Sequence, residues 1–454
     1  MGEPRLAVIV LAAGQGTRMK SGINKVLHEI AGRPMLAYPL AAAAALAPER
    51  CVVVVGRDAE HVQRTFADLA EFVVQPEPRG TGHAVQVALP ALGDFRGDVL
   101  VLYGDVPLLR AESLRALRAH KAATGAALAM LSAPIQLPGL VVRGPGGQVE
   151  RIVEVTDATP SELAIQEGNT GVYLLDRELL AKAIAQLDDR NEQGELYLTD
   201  VVAYARAAGL AVEAVRLEDG DEALGVNTRA ELARASAAQY RRNAERWMEE
   251  GVTFVDPSHA WVDTDAVIGR DSVIDPGVVI RGATRIGERV HVKAHSVIES
   301  SELADDVAVG PSAHLRPGSR LGAGVRIGNF VEVKNSDLAA GVKADHLAYI
   351  GDADVGEGAS FGCGAITVNY DWDAKHRTRV GAGVRVGCNA NLVAPVSIAD
   401  GAFVAAGTTV TKDVPAGALA VARPPQRIVE GYADRRARPG ERDRGDDGPE
   451  EGGA

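Results

Sequence analysis

From Ile268 onward an aliphatic residue recurs at every sixth position, and that period excludes most folds before any motif is read. The series runs Ile268, Ile274, Ile280, Ile286, Val292 and Ile298. After one step of five it resumes at Leu303, Val309, Leu315, Leu321, Ile327 and Val333, and continues through Leu338, Ala344, Ile350, Val355, Phe361 and Thr367. A longer insert follows, then Val380, Val386, Leu392, Ile398, Val404 and Val410. An amphipathic helix repeats at about 3.6 residues and a half-buried strand at 2, so neither fits. A hexapeptide parallel β-helix does: each aliphatic knob points into a prism, and each turn stacks on the last. Small residues behind the knobs, as in Ile268-Gly269, Leu321-Gly322 and Val386-Gly387, suit tight corners. A sandwich of short strands would show alternation and turn signals instead.

The chain is too long, at 454 residues, for one compact core. Aromatic residues make up only 4% of it, as expected of a core built from small aliphatic layers. The three cysteines, Cys51, Cys363 and Cys388, have no metal-ligand spacing, which points to a reducing, cytoplasmic setting. No cleavable leader is expected, since the first apolar run, Val8 to Ala13, is short and ends in a glycine-rich loop. No stretch approaches the ~20 apolar residues that span a membrane. The net charge of −13 argues against nucleic acid as a partner. Anions would have to bind in local pockets.

Residues 5 to about 228 alternate apolar runs with helical stretches: strands at Leu6–Leu11, Cys51–Val55, Glu71–Gln75 and Asp98–Tyr103, helices at Met35–Ala45, from Ala59 and at His83–Ala91. That alternation predicts a doubly wound, Rossmann-like α/β domain over 1–228 with a largely parallel sheet, whose ligands sit at the carboxyl ends of the strands. A polar, Ala-rich helix is expected as a linker over 229–250, and the β-helix over 251–424. The Gly-, Pro- and charge-rich tail, 425–454, is expected to be disordered.

The first strand runs directly into Leu11-Ala12-Ala13-Gly14-Gln15-Gly16-Thr17-Arg18-Met19. Glycines there let backbone N–H groups approach phosphate closely. The loop is neither a Walker loop nor a dinucleotide fingerprint. Arg18 within it and Lys25 just after it add cations, although either alone would read as a solvated charge. Asp105 ends a strand, where it would be a loop cap or a ligand carboxylate.

Together with Gln75, Gly80-Thr81-Gly82-His83-Ala84, Tyr103-Gly104-Asp105-Val106-Pro107, Glu154, Asn169-Thr170-Gly171, Glu195 to Asp200 and Gly225-Val226-Asn227, this loop resembles the sugar nucleotidyltransferases. With a hexapeptide helix behind it, the chain resembles the bifunctional N-acetylglucosamine-1-phosphate uridylyltransferase / glucosamine-1-phosphate N-acetyltransferase family over nearly its whole length. The resemblance implies a bifunctional enzyme that makes UDP-N-acetylglucosamine from glucosamine 1-phosphate, acetyl-CoA and UTP by way of N-acetylglucosamine 1-phosphate, with Mg2+ held by Asp105 and Asn227. It implies a UDP-sugar site of Leu11, Ala12, Ala13, Gly14, Lys25, Gln75, Gly80, Thr81, Tyr103, Gly104, Asp105 and Asn227, with Gly139, Glu154 and Asn169 toward the sugar. Arg18 and Lys25 would stabilise charge during transfer. The family carries Gly-Tyr-Gly-Arg-Ile before the sugar-contacting Glu, where this chain has Leu137-Pro138-Gly139-Leu140-Val141.

In the repeats, departures from periodicity carry the chemistry. A stalk has no use for His346, Tyr349 or the insert Asn369-Tyr370-Asp371-Trp372 through Arg379. His346 falls between the knobs Ala344 and Ile350, so it need not be core, and imidazole suits proton removal from an amine near neutral pH. The resemblance makes His346 the base of acetyl transfer. It gives Arg316, Lys334, Tyr349 and Ser360 (usually Asn) to glucosamine 1-phosphate, and Cys363, Asn369, Tyr370, Cys388, Ala406 and Arg423 to acetyl-CoA. It also implies a homotrimer. The alternative is a monofunctional sugar-phosphate nucleotidyltransferase whose β-helix only trimerises.

Overall fold

The computed structural model describes residues 4–56 and 59–436. The first half is built on one sheet whose main path runs Val212–Arg216, Leu128–Ala133, Gly168–Asp176, Asp98–Tyr103, Leu6–Ala12, Arg50–Val55, Glu71–Val74. The central strand Leu6–Ala12 is buried along its whole length, which explains its unbroken apolar sequence. It pairs in parallel with Arg50–Val55 and with Asp98–Tyr103. Hydrophobic clusters lie on both faces of the sheet, as helices on both sides require. The sheet is less parallel than the sequence suggests. Gly168–Asp176 runs antiparallel to both of its neighbours, and an antiparallel hairpin, Gly139–Arg143 with Val149–Glu154, hangs from it. That hairpin brings a second set of polar residues beside the strand ends.

The helix Arg229–Glu249 starts with a capping box: the Thr228 side chain accepts from the Glu231 N–H, and the Glu231 carboxylate accepts from the Thr228 N–H. Its Trp247 and Ala244 are buried in the same core as the first coil of the prism. Asn243 Nδ2 donates to the Val262 carbonyl (2.8 Å), Arg33 Nε to Asp265 (2.9 Å), and Tyr38 Oη lies 2.9 Å from Thr264 Oγ1. The helix packs on both halves, since its Ala235 and Ala238 share a buried cluster with Ile30, Met35 and Leu108.

From Thr253 to Ala420 the chain winds as a left-handed prism with three parallel faces of ten, nine and eight short strands. Along each face a strand pairs with the third strand after it, except at the last step, where Phe403–Val404 pairs with Leu419–Ala420, so three hexapeptides make one coil. All 24 knobs of the series from Ile268 to Val410 are buried, Thr367 included. Thr367 is the polar exception, and its hydroxyl is used: it accepts from the Gly351 N–H at 2.7 Å. Ile350 is wholly buried at mid-prism. Ile350→Ala is expected to destabilise the prism by about 2–5 kcal/mol, measured as a lower denaturant midpoint at unchanged slope. Beyond Ala420 the chain is exposed and ends its described part in a short helix, Tyr432–Arg436. The rest of the expected disordered tail, 437–454, lies outside the described residues. No helix among the described residues is long and apolar enough to cross a membrane.

Candidate functional site

At the carboxyl ends of the central strands a cavity of about 250 Å³ is lined by Leu11, Ala12, Ala13, Gly14, Lys25, Gln75, Gly80, Thr81, Tyr103 and Asp105. Val26, Pro78, Ala84 and Glu195 complete its wall, and none of these four had been assigned a site role from the sequence. The parallel register explains the convergence, because Leu6–Ala12 and Asp98–Tyr103 end side by side and deliver their following loops to one edge.

Lys25 is buried, and its ammonium sits 2.5 Å from Asp105 Oδ2 and 3.0 Å from Asn227 Oδ1. Residues far apart in sequence thus meet around one positive charge. The glycine loop wraps the same side chain. Gly16 has φ of +63°, and a Cβ there would stand 2.7 Å from Lys25 Cβ. Gly16 is therefore needed for packing on Lys25 as well as for backbone approach. Asn227 is fixed by the linker helix, since Glu231 accepts from its N–H at 2.7 Å. Burial pushes the Glu231 carboxyl up, but hydrogen bonds from Asn227 and Thr228 and the charge of Arg18 outweigh it and hold it down. Glu231 is a positioning residue that sequence reading missed, although Thr228-x-x-Glu231 is a legible cap.

Gln75 is buried, donating to the Gly80 carbonyl (3.1 Å) and lying 3.1 Å from His83 Nδ1. Gly80 has φ of +101°, and a Cβ would strike the Leu196 backbone at 2.6 Å, so only glycine fits between the cavity and that segment. Thr81 Oγ1 accepts from the Leu198 N–H at 3.0 Å. Gly104 is buried against Ala12 and Leu36, behind the cavity rather than in its wall. Arg18 is exposed and outside the wall.

Past Tyr103 lies the set that the sequence directs toward the sugar. Gly139 is the register partner of Glu154, and a Cβ on it would lie 3.3 Å from Asn169. All three residues expected toward the sugar meet in one place. The altered neighbours of Gly139 do not disturb this: Leu140 and Val141 are buried in the hairpin. Burial pushes the Glu154 carboxyl above its ordinary range, and the charges of Asp157 and Asp200 add to this. Because the folded-state value is raised, the stabilising contribution is present at low pH and is lost as pH rises through it. Glu154→Gln is expected to raise the melting temperature at pH 7 by on the order of 1 °C, with no gain at pH 4, while weakening sugar-phosphate binding. Calorimetry at the two pH values reads the first effect.

The candidate residues of the prism form a ladder. Asn329 and His346 are register partners. The pairs Ala344↔Phe361 and Tyr349↔Ile366 have one offset, so His346 stacks under Cys363. Phe361↔Val386 and Ile366↔Asn391 likewise put Cys363 under Cys388. Val386↔Val404 and Asn391↔Thr409 put Cys388 under Ala406. Asn329, His346, Cys363, Cys388 and Ala406 thus occupy one corner of successive coils, each two residues past a knob. Arg423 closes the row, with Nη1 donating to the Ala406 carbonyl at 3.2 Å. His346 is exposed, and its Nδ1 lies 3.1 Å from Asn329 Oδ1. With Nδ1–H donating there, Nε2 is left as the basic nitrogen. Asn329 was missed in the sequence, yet it stands at the same hexapeptide position as His346.

One face away, Arg316 Nη1 donates to Glu332 at 2.9 Å, and the Glu332 partner raises its already high pKa. Contact with Lys375 from the insert pushes the Lys334 ammonium down, with burial adding to it. Asn369 is buried, donating to Asp352 and, at 3.4 Å, to Tyr349 Oη. Tyr349 stands beside Glu332 in the register, so Arg316, Lys334, Tyr349, Asn369 and Lys375 surround one cationic patch. The insert is braced by Asp371, which accepts from the N–H groups of Asp373 and Ala374 and lies 2.6 Å from His376 Nε2; these bonds hold its carboxyl down at about 2. Ser360 lies on the neighbouring face of the prism, between Lys343 and Arg385, and no hydrogen bond among the described residues joins it to this patch.

Residues 8–199 match the model of MobA-like NTP transferase domains, and 265–300 that of bacterial transferase hexapeptides (six repeats). The chain is 48% identical to the Bifunctional protein GlmU of Trichlorobacter lovleyi, over 94% of this chain and 97% of that protein. It is 47% identical to that of Pelobacter propionicus and 46% identical to that of Geobacter sulfurreducens, each over 94% of this chain and 98% of the relative. The chain belongs to the bifunctional GlmU family. Both halves of a GlmU protein, nucleotidyltransferase and hexapeptide transferase, are present on one chain, and it is an enzyme acting on small molecules.

Proposed function

We propose that this chain makes UDP-N-acetylglucosamine in two steps at two separate sites. The prism transfers the acetyl group of acetyl-CoA to the amine of glucosamine 1-phosphate. The α/β half then joins N-acetylglucosamine 1-phosphate to the uridylyl group of UTP, releasing pyrophosphate. The observation that carries this reading is the presence on one chain of a Lys25–Asp105–Asn227 cluster at the strand-end cavity and a His346 ladder in the prism.

For acetyl transfer, Arg316 and Lys334 take the sugar phosphate, aided by Tyr349. His346 Nε2 removes the amine proton as nitrogen attacks the thioester carbonyl, so no nucleophilic cysteine is needed. Cys363, Cys388 and Ala406 line the acetyl-CoA path, with Asn369 and Tyr370 at its side and Arg423 placed for a phosphate. Ser360 stands where the family usually has Asn, with a shorter reach, and contributes through its hydroxyl.

For uridylyl transfer, Gln75, Gly80 and Thr81 hold the base, while Gly139, Glu154 and Asn169 hold the amino sugar. Asp105 and Asn227 present one carboxylate and one amide oxygen, a donor set that fits Mg2+ with phosphate and water completing the shell. The cation already drawn between them, Lys25, shows that the pair attracts positive charge. When bound, Mg2+ screens the phosphate charges. Lys25 and, at the exposed lip, Arg18 balance the charge that develops on pyrophosphate, and the sugar phosphate attacks in line without a covalent enzyme intermediate. The open prism faces suit side-by-side packing as a homotrimer, and UTP and acetyl-CoA as substrates place the enzyme in the cytoplasm.

Product mass spectrometry with glucosamine 1-phosphate, acetyl-CoA, UTP and Mg2+ tests this reading. UDP-N-acetylglucosamine is the expected product. Uridylyl transfer without any acetylation would reduce the prism to a stalk.

A further inference from the structure

Cys363 and Cys388 are both exposed and both free, and they occupy the same corner of consecutive coils. The register on either side of them is uninterrupted: Phe361↔Val386 precedes and Ile366↔Asn391 follows. Backbone hydrogen bonds bracket the pair, from the Gly362 N–H to the Val386 carbonyl (2.7 Å) and from the Asn389 N–H to the Cys363 carbonyl (2.8 Å). The next residues, Gly364 and Asn389, have φ of +77° and +53°, so the two corners turn alike and their side chains leave in the same direction. Adjacent strands lie about 4.8 Å apart, inside the Cα separation of about 4.4–6.8 Å that a disulfide spans.

We infer that Cys363 and Cys388 form a reversible dithiol site, which low-molecular-weight disulfides close to an intrachain disulfide that shuts the acetyl-CoA path. The part concerning acetyl-CoA rests on the reading given under Proposed function. One cysteine thiolate attacks the small disulfide, forming a mixed disulfide and releasing one small thiol. The second cysteine then attacks the protein sulfur, forming the Cys363–Cys388 bond and releasing the second small thiol. The two protein thiols lose two electrons and two protons, and the small disulfide gains them. His346, one coil below Cys363, is placed to take the thiol proton at the first step. CoA disulfide is the favoured oxidant, since the path that admits acetyl-CoA would deliver its sulfur to the same row. Cys51 is an internal control: burial, with the charge of Glu71 adding, pushes its thiol up to about 11, so it stays protonated at neutral pH.

The test exposes the full chain, at equal concentrations, to CoA disulfide or to oxidised glutathione, followed by alkylation and peptide mass spectrometry. A cross-linked Cys363–Cys388 peptide is expected, the protein becoming lighter by about 2 Da as two hydrogens leave, with Cys51 alkylated. Closure is expected to be faster with CoA disulfide. Acetyl transfer should fall roughly tenfold or more and return with dithiothreitol, because a closed pair removes both thiols from the path. Uridylyl transfer should not change. Cys388→Ser should stop at a mixed disulfide on Cys363. Three alkylated thiols after either treatment would overturn the site, as would a cross-link that leaves acetyl transfer intact. Equal rates with the two disulfides would leave the dithiol standing and remove CoA delivery. If the untreated chain transfers no acetyl group, the acetyltransferase reading fails, while the cross-linked peptide still decides the dithiol.

Discussion

His346→Ala lowers acetyl transfer by roughly two to four orders of magnitude, the usual worth of a positioned general base, and leaves uridylyl transfer at its normal rate. Two features make the effect this large and this selective. The imidazole is exposed at a corner and not part of the core, so its loss leaves the prism folded. It is also oriented, since Asn329 Oδ1 fixes one ring nitrogen and leaves the other for the substrate amine. Asn329→Ala should accordingly lower the acetyl-transfer rate by about tenfold, with little change in KM for either substrate, because one hydrogen bond's worth of orientation is lost. Separate assays of the two half-reactions on each variant read the result. Loss of uridylyl transfer in His346→Ala would refute independent sites, and full acetyl transfer in it would remove the base.

Asp105→Ala has the opposite signature: uridylyl transfer falls by about a thousandfold, equivalent to roughly 4 kcal/mol, while acetyl transfer persists. The alanine variant also strands a buried cation. Lys25 is left with only the Asn227 oxygen, and an unpaired buried ammonium costs several kcal/mol unless it loses its proton or moves. A drop in melting temperature of the α/β half is therefore expected beside the lost activity. Asp105→Asn separates the two effects: it keeps a hydrogen-bond acceptor for Lys25 but removes the charge that would hold Mg2+. If Asp105→Asn melts nearly as the native chain does and still transfers no uridylyl group, the carboxylate acts on the metal and phosphates. If both variants keep their activity, Asp105 is a structural partner of Lys25 alone.

The two halves differ in how much of their site the sequence discloses. In the prism, position along the chain and position in space are the same variable. A residue two places past a knob lies above the residue two places past the knob one coil earlier, so the row from Asn329 to Ala406 can be written down from spacing. The hexad was read, and every knob is buried as the period requires. The row itself emerges only when each residue is set against its equivalent one coil away, not against its neighbours in sequence.

The α/β half offers no such translation. Its strands, the glycine loop and the strand-end carboxylate were legible from apolar runs and loop chemistry. The meeting of Lys25 with Asp105 and Asn227, 80 and 202 residues away, was not. It depends on sheet order, on the antiparallel strand Gly168–Asp176 that alternation did not foretell, and on a helix cap that fixes Asn227 from the linker. Gly16 makes the same point in small: its loop suggested phosphate, while its left-handed backbone also serves to pack Lys25. What the sequence determined by itself was the prism, the α/β alternation and the residue types of both chemistries, because local period and propensity decide those. What only the tertiary structure decided was which of those residues share a site in the first half, because there contact is made by sheet topology across long stretches of chain, for which no local pattern stands in.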